Sequence, residues 1–159
     1  MQLSFYHWKV EVDREATRTA YEQLDAPDPA CCNACATFRE AVRSGRVPTE
    51  ITEFLVRAGA DPAKAQEVWG APDAGFLSGW WIVVGRMLEG EWNGSGDRAY
   101  VELLPGFKCW ITDEPTMALP PILEGKLLLQ LEFEWDDHRQ LAELESESWK
   151  ESRPPGGAA

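Results

Sequence analysis

The sequence predicts an α+β fold, in which a helical N-terminal half packs on a mostly antiparallel β-sheet formed by an N-terminal strand and the C-terminal half. Between residues 14 and 69, apolar side chains recur at helical spacing. After Gly70 the pattern changes to strand-like segments that are separated by glycine, proline and asparagine. Helices followed by strands indicate the α+β class, because α/β folds alternate the two along the chain.

The run Gly79–Leu88, GWWIVVGRML, is the longest apolar run and is predicted to be the central strand of the sheet. Its β-branched and aromatic side chains favour a pleated, packed surface. Successive side chains of a strand point to opposite faces, so Trp80 and Ile82 lie on one face and Trp81 and Val83 on the other. Apolar side chains on both faces predict a strand that is covered on both sides.

The first predicted element is a strand over residues 3–12, where apolar and polar side chains alternate. Its more apolar face, which is expected to be buried, holds Ser4, Tyr6, Trp8, Val10 and Val12. Asp13 follows this strand and can cap a helix over residues 14–24, because its carboxylate accepts hydrogen bonds from the free N–H groups of a helix start.

Two further helices are predicted in the N-terminal half. Asp28 as the cap and Pro29 at the first helical position start a second helix, which runs to about Ser44. Thr49 opens a third helix, which ends at Gly59. The apolar face of the third helix holds Ile51, Phe54, Leu55 and Ala58.

The C-terminal half is predicted to contain the other strands. After a further turn of helix at Asp61-Pro62, turn residues separate four strands, at 78–91, 98–104, 107–112 and 126–135. In the last strand, the alternation places five apolar side chains on the core face: Leu127, Leu129, Leu131, Phe133 and Trp135. The opposite face is expected to contact water and carries Gln130, Glu132 and Glu134.

The chain of 159 residues is long enough for one domain with a hydrophobic core. We expect a single α+β domain over residues 1–136, followed by a charged, partly disordered tail over residues 137–159. The eight tryptophans either fill the core or line a ligand groove. Core packing is the simpler interpretation, because large aromatic side chains dominate small cores.

The formal net charge of −12 bears on partners and location. An acidic surface repels phosphate backbones and anionic lipids, which argues against nucleic-acid and membrane partners and leaves an unknown protein or small molecule. The N-terminus shows no secretory signal. Three of the four cysteines crowd into residues 31–35, unlike a disulfide framework. Both observations predict a cytoplasmic protein.

Cys31, Cys32 and Cys35 form the one constellation that points to chemistry. On a helix, residues three or four apart share a face, so Cys35 neighbours both of the other cysteines. A helix N-terminus favours thiolates, which suits either a redox pair or part of a metal site. A zinc ion normally takes four ligands, and further side chains would have to complete the set. The candidates for this completion are Cys109, His7 and His138.

The third interpretation is that Cys35 belongs to the buried stripe of an amphipathic helix, together with Phe38 and Val42. It predicts that Cys35 is more buried than Cys32, whose face also carries Arg39. Core packing, zinc binding and redox chemistry therefore remain open for this cluster.

Five segments of the chain carry a family resemblance: Asp13–Tyr21, the C-x-x-C motif with its phenylalanine (Cys32, Cys35, Phe38), GADPAKAQEVW at 59–69, GWWIVVG at 79–85 and LQLEFE at 129–134. Together they resemble a family of uncharacterised bacterial proteins that carry C-x-C-x-x-C-R-N-F, G-[IV]-D-P-x-K-x-x-E-V-Y and G-G-W-F-x-F-V-G segments. The chain departs from this pattern where Cys31 adjoins Cys32 and where Ala36-Thr37 replace Arg-Asn. The resemblance covers residues 10–135 in blocks and implies no activity.

The sequence shows no complete catalytic set. Phosphate-binding loops, serine-histidine-aspartate orders and glycine-rich dinucleotide fingerprints are absent from it. We therefore expect a small, acidic, non-catalytic binding or interaction domain. The alternative is a cysteine-based protein, either zinc-binding or thiol redox, that uses Cys31, Cys32 and Cys35.

Overall fold

A computed structural model describes residues 1–90, 100–115 and 119–144. The strands in these residues are β1 (Gln2–Phe5), β2 (Trp8–Val12), β3 (Glu67–Ala71), β4 (Phe76–Glu89), β5 (Val101–Leu104), β6 (Phe107–Thr112) and β7 (Leu128–Asp136). The helices are α1 (Arg14–Gln23), α2 (Asn33–Arg43) and α3 (Thr49–Ala58), with short 3₁₀ turns at Pro72–Ala74 and Pro121–Leu123. Residues 138–144 are also helical.

The seven strands form one antiparallel sheet. Its order along the hydrogen-bonded path is β1-β2-β4-β7-β6-β5, and β3 pairs with β4 beside this path. All strand pairs in the described residues are antiparallel. Three helices precede most of these strands, and this combination confirms the predicted α+β class.

Strand β4 is the centre of the sheet. It pairs with β7 along residues 76–84, and its other edge pairs with β3 near its start and with β2 near its end. The side chains from Leu77 to Val84 are buried on both faces, including Trp81 and Val83. The prediction of a central strand with two covered faces is therefore confirmed.

Helix α1 covers the part of this β4 edge that lies between β3 and β2. The Val84 N–H donates to Thr17 Oγ1 at 3.0 Å, and the Ile82 N–H donates to the Tyr21 hydroxyl at 3.2 Å. Both hydroxyl-bearing side chains are buried. A buried N–H group without an acceptor is costly, so these two hydroxyls explain why polar atoms lie on the buried face of α1.

We expect Tyr21→Phe to lower the free energy of unfolding by about 1–3 kcal/mol, because the buried Ile82 N–H would lose its acceptor. Tyr6→Phe is the matched control, since Tyr6 is 54% exposed, and it should change this free energy by less than about 0.5 kcal/mol. Urea unfolding followed by tryptophan fluorescence measures both variants. Equal stability of Tyr21→Phe and the wild type would contradict the assigned role of the hydroxyl.

The N-terminal strand predicted over residues 3–12 is instead a hairpin of β1 and β2, joined by Tyr6 and His7. Phe5 pairs with Trp8 across this hairpin, and cross-strand partners share a face. The buried side chains therefore occupy odd-numbered positions in β1 and even-numbered positions in β2. The buried side chains are Leu3, Phe5, Trp8, Val10 and Val12. The predicted burial of Ser4 and Tyr6 is wrong, because both side chains are exposed.

The predictions of helices α1 and α3 are confirmed. The Asp13 carboxylate caps α1 and accepts a hydrogen bond from the Ala16 N–H at 2.9 Å. Helix α3 ends at Gly59, which has a φ of 89°. The predicted helical turn at Asp61-Pro62 is a non-helical turn, and the chain then enters β3 at Glu67. The four predicted apolar side chains of α3 are buried.

Strand β7 is predicted correctly on one face and incorrectly on the other. Leu129, Leu131, Phe133 and Trp135 are buried, as expected. The strand begins at Leu128, however, and the preceding Leu127 is 69% exposed. Of the polar side chains expected to contact water, Gln130 is buried and Glu132 and Glu134 are half-buried. Gln130 lies between Ile82 and Thr112 on the neighbouring strands, so its position in the middle of the sheet removes it from water.

The hydrophobic core extends beyond residue 136. Residues 138–144, which fall in the predicted tail, are helical, and Leu141 and Leu144 are buried in the core. Their spacing of three residues places them on one face of a helix. Residues 145–159 of the predicted tail lie outside the described residues.

Candidate dithiol site

Cys32 is the N-cap of α2, so the helix begins later than the predicted start at Pro29. Asp28 caps a single turn, in which its carboxylate accepts from the Ala30 N–H at 2.9 Å and its carbonyl accepts from the Cys31 N–H at 3.0 Å. Cys32 then adopts an extended backbone with φ −161° and ψ 166°, which interrupts helical bonding. The proline turn and the helix are thus separate elements, and Cys31 lies before the helix.

The sulfur atoms of Cys32 and Cys35 are in contact. They lie 3.2 Å apart, and both cysteines are free thiols. The Cys35 N–H also donates to Cys32 Sγ at 3.4 Å, as capping side chains accept from the third helical N–H group. A disulfide bond is about 2.05 Å long, so the two sulfurs need to approach by only about 1 Å to bond.

The three cysteines differ in exposure. Cys31 is exposed, Cys32 is half-buried and Cys35 is buried at 8% exposure, which confirms that Cys35 is more buried than Cys32. Burial raises the pKa of the Cys35 thiol to about 12, and the neighbouring Cys32 adds to this shift. Cys35 therefore keeps its proton near neutral pH, and Cys32 is the more exposed residue of the pair.

Aromatic packing holds α2 against the sheet, and an ion pair joins two residues within the helix. The ring of Phe38 lies 5.9 Å from that of Trp81 on β4 and 6.2 Å from that of Phe133 on β7. The buried carboxylate of Glu40 accepts two hydrogen bonds from the Arg43 guanidinium, at 2.8 and 2.9 Å. The two aromatic contacts with the sheet limit movement of the helix that carries Cys35, and the Glu40–Arg43 pair stabilises the helix itself.

The side chains considered for a zinc site lie on separate elements. Cys109 is buried on β6, and burial raises the pKa of its thiol to about 12. His7 lies in the β1–β2 turn against Trp8, and His138 contacts the backbone near Gly75. Within the residues that the structure describes, no three or more histidine, cysteine, aspartate or glutamate side chains are arranged to hold a metal ion.

A cavity of about 500 Å³ lies beside α2 and was not anticipated from the sequence. One wall is the segment 26–29, another is the face of α2 that carries Phe38 and Val42, and Ala63 closes a third side. Because the walls come from three separate segments, no local pattern could have indicated it. We call this space the α2 cavity.

No protein-family model, no curated protein and no solved structure matches the chain. In the described part of the chain, no helix is both long and apolar enough to cross a membrane.

Proposed function

We propose that this protein is a thiol–disulfide redox protein whose active dithiol is Cys32 and Cys35. The observation that carries the proposal is the 3.2 Å distance between the two sulfurs at the first turn of a helix. Core packing alone explains the burial of Cys35 but not the direct contact with a second, more exposed thiol. A zinc site is disfavoured, because the described residues offer no cluster of three metal-ligating side chains.

In this proposal Cys32 is the attacking sulfur. It is the more exposed of the pair, and it lies at the N-terminus of α2, where its sulfur accepts a hydrogen bond from the Cys35 N–H. Cys35 is the resolving thiol. Its raised pKa keeps it protonated until Cys32 has reacted, so its S–H can donate to a Cys32 thiolate.

The proposed reaction is a two-step exchange with a disulfide. The Cys32 thiolate attacks one sulfur of the substrate disulfide, whose S–S bond breaks, and the released sulfur takes up a proton. The Cys35 sulfur then loses its proton, attacks Cys32 and displaces the second substrate sulfur as a thiol. Two electrons pass from the protein to the substrate, together with the proton of Cys35 and the proton that Cys32 released on becoming a thiolate, and the protein retains a Cys32–Cys35 disulfide.

The rest of the fold serves as the scaffold of this site. We take the helical N-terminal half to pack on the sheet through contacts such as Phe38 with Trp81, so that α2 stays fixed when the disulfide forms. We also take the protein to act in the cytoplasm, where reducing thiol pools return the disulfide to the dithiol. With a net charge of −12, its partner is a protein or a small molecule and not a nucleic acid.

The test is to expose reduced protein to hydroxyethyl disulfide and to follow the thiols by alkylation and mass spectrometry. We expect an intramolecular Cys32–Cys35 disulfide that dithiothreitol reverses. Cys31→Ser is the matched control and should form this disulfide at the wild-type rate, because Cys31 is exposed and lies outside the pair.

Cys32→Ser and Cys35→Ala should lose the intramolecular disulfide while staying folded by circular dichroism. In Cys35→Ala, a mixed disulfide between Cys32 and the oxidant should accumulate, because the resolving thiol is missing. If the wild type forms no Cys32–Cys35 disulfide under these conditions, the redox proposal is wrong. The non-catalytic binding domain that the sequence predicts would then be the better interpretation.

A further inference from the structure

We infer that the α2 cavity binds the oxidant of this dithiol, and that the oxidant is a disulfide carried on a short apolar chain that ends in a carboxylate. This inference rests on the redox function proposed above. It assigns a ligand class to the cavity and so states which disulfides the protein prefers.

The position of the cavity links it to the cysteines. Its two main walls are residues 26–29 and the α2 residues from Phe38 to Arg43. Cys32 and Cys35 do not line the cavity themselves, and both lie on the chain that connects these two walls. On α2, Phe38, Arg39 and Val42 follow Cys35 by three, four and seven residues, which places them along the same side of the helix. The cavity therefore begins one helical turn beyond Cys35, and in this inference the disulfide end of the ligand extends across that turn to the sulfurs.

The walls of the cavity favour an apolar ligand body. They are formed largely by the apolar side chains of Ala26, Pro27, Pro29, Phe38, Val42 and Ala63. A volume of about 500 Å³ lies in the range of small-molecule sites, which are mostly apolar with a few polar groups that orient the ligand. A small, hydrophilic disulfide would leave these apolar walls without an apolar group to pack against.

The charged side chains at the cavity favour a negatively charged end on the ligand. The chain as a whole carries a net charge of −12, yet the cavity is lined by two arginines, Arg39 and Arg43, and by one acid, Asp28. Asp28 already accepts the Ala30 N–H, and Arg43 already pairs with Glu40. Arg39 is exposed and is thus the cation best placed to pair with a carboxylate.

The helix sets the length of the ligand. An α-helix rises about 1.5 Å per residue, so Arg39 lies about 6 Å and Arg43 about 12 Å beyond Cys35 along the helix axis. A ligand with its disulfide at the cysteines and its carboxylate at these arginines therefore spans roughly 6–12 Å. In the exchange, that ligand disulfide gains two electrons and two protons, and Cys32 and Cys35 become a disulfide.

The first experiment tests binding without thiol chemistry. Octanoate, an apolar carboxylate without sulfur, is titrated into the reduced wild type and into Cys32→Ser/Cys35→Ser, and binding is followed by NMR shifts of α2 amides. We expect saturable binding to both proteins. Arg39→Ala should weaken it about two- to fivefold, as expected for one exposed ion pair. Arg57→Ala removes an exposed arginine of α3 outside the cavity and should have no effect.

The second experiment tests the choice of oxidant. Lipoate, a cyclic disulfide on a pentanoate chain, should oxidise the reduced wild type faster than lipoamide, its neutral amide. Arg39→Ala should slow oxidation by lipoate about two- to fivefold and leave the rates with lipoamide and hydroxyethyl disulfide unchanged. A uniform slowing of all three rates, or equal effects of Arg39→Ala and Arg57→Ala, would overturn the inference.

The two proposals fail in different ways. If hydroxyethyl disulfide forms the Cys32–Cys35 disulfide but octanoate does not bind, the redox function stands and the assignment of the cavity is wrong. If octanoate binds but no disulfide forms with any oxidant, the redox function is wrong, and the assignment of the ligand as an oxidant is overturned with it.

Discussion

Val83→Asp is expected to leave the protein largely unfolded at 25 °C. Val83 lies in the middle of β4, opposite Leu129 of β7, and its side chain is 1% exposed. A carboxylate placed there would be buried without a charged partner, which costs several kcal/mol. Domains of this kind are stable by roughly 5–15 kcal/mol in total, so one such change removes much or all of that stability.

Val56→Asp is the matched control for this variant. It introduces the same charge at a valine of α3 that is 55% exposed, and it should shift the unfolding free energy by about 0.5 kcal/mol or less. Far-UV circular dichroism and urea unfolding compare the two variants with the wild type. A Val83→Asp protein with native circular dichroism and a native urea midpoint would show that β4 is not the buried centre of the sheet.

Leu141→Ala is expected to lower the Tm by roughly 4–20 °C. Leu141 is 0% exposed and belongs to the hydrophobic core, although it lies beyond the last strand. Truncation of a buried leucine to alanine costs about 2–5 kcal/mol, and each kcal/mol shifts the Tm by about 2–4 °C in a chain of this size. Adding Leu144→Ala should lower the Tm further, by less than the sum, because the two side chains share one helix face.

The control for the leucine variants is Leu127→Ala. Leu127 is 69% exposed, so its truncation should leave the Tm nearly unchanged. Differential scanning fluorimetry or calorimetry on the full chain measures all of these variants. If Leu141→Ala has the same Tm as Leu127→Ala and the wild type, the helical residues 138–144 do not contribute to the core.

Local sequence signals correctly predicted those elements that depend on a few consecutive residues. The cap of α1 at Asp13 and the end of α3 at Gly59 are examples, because a capping carboxylate and a left-handed glycine act within one helical turn. The apolar run of β4 was equally clear, since two buried faces require apolar side chains at successive positions. Helical spacing also predicted the burial of Cys35, which shares a face with Phe38, whereas Cys32 precedes the helix as its N-cap.

One error arose where the sequence contains no local signal, and another where a local signal is misleading. The hairpin turn at Tyr6 and His7 has no glycine, asparagine or proline, and Tyr6 adopts a φ of 54°, which is uncommon for a non-glycine residue. The alternation of apolar and polar side chains therefore predicted one continuous strand. At Pro29 the sequence does contain a local signal, because the residues there are typical of a helix start. They form an isolated turn instead, four residues before α2 begins.

The sequence by itself determined the α+β class, the central strand and the presence of two cysteines three residues apart at a helix start, because periodicity and spacing within one element encode them. Only the tertiary structure decided that Leu141 lies in the core and that an apolar cavity with two arginines lies beside α2, the helix that carries Cys35. Both depend on contacts between segments far apart in the chain. Such contacts follow from how the elements pack together, which the order of residues within any one element does not specify.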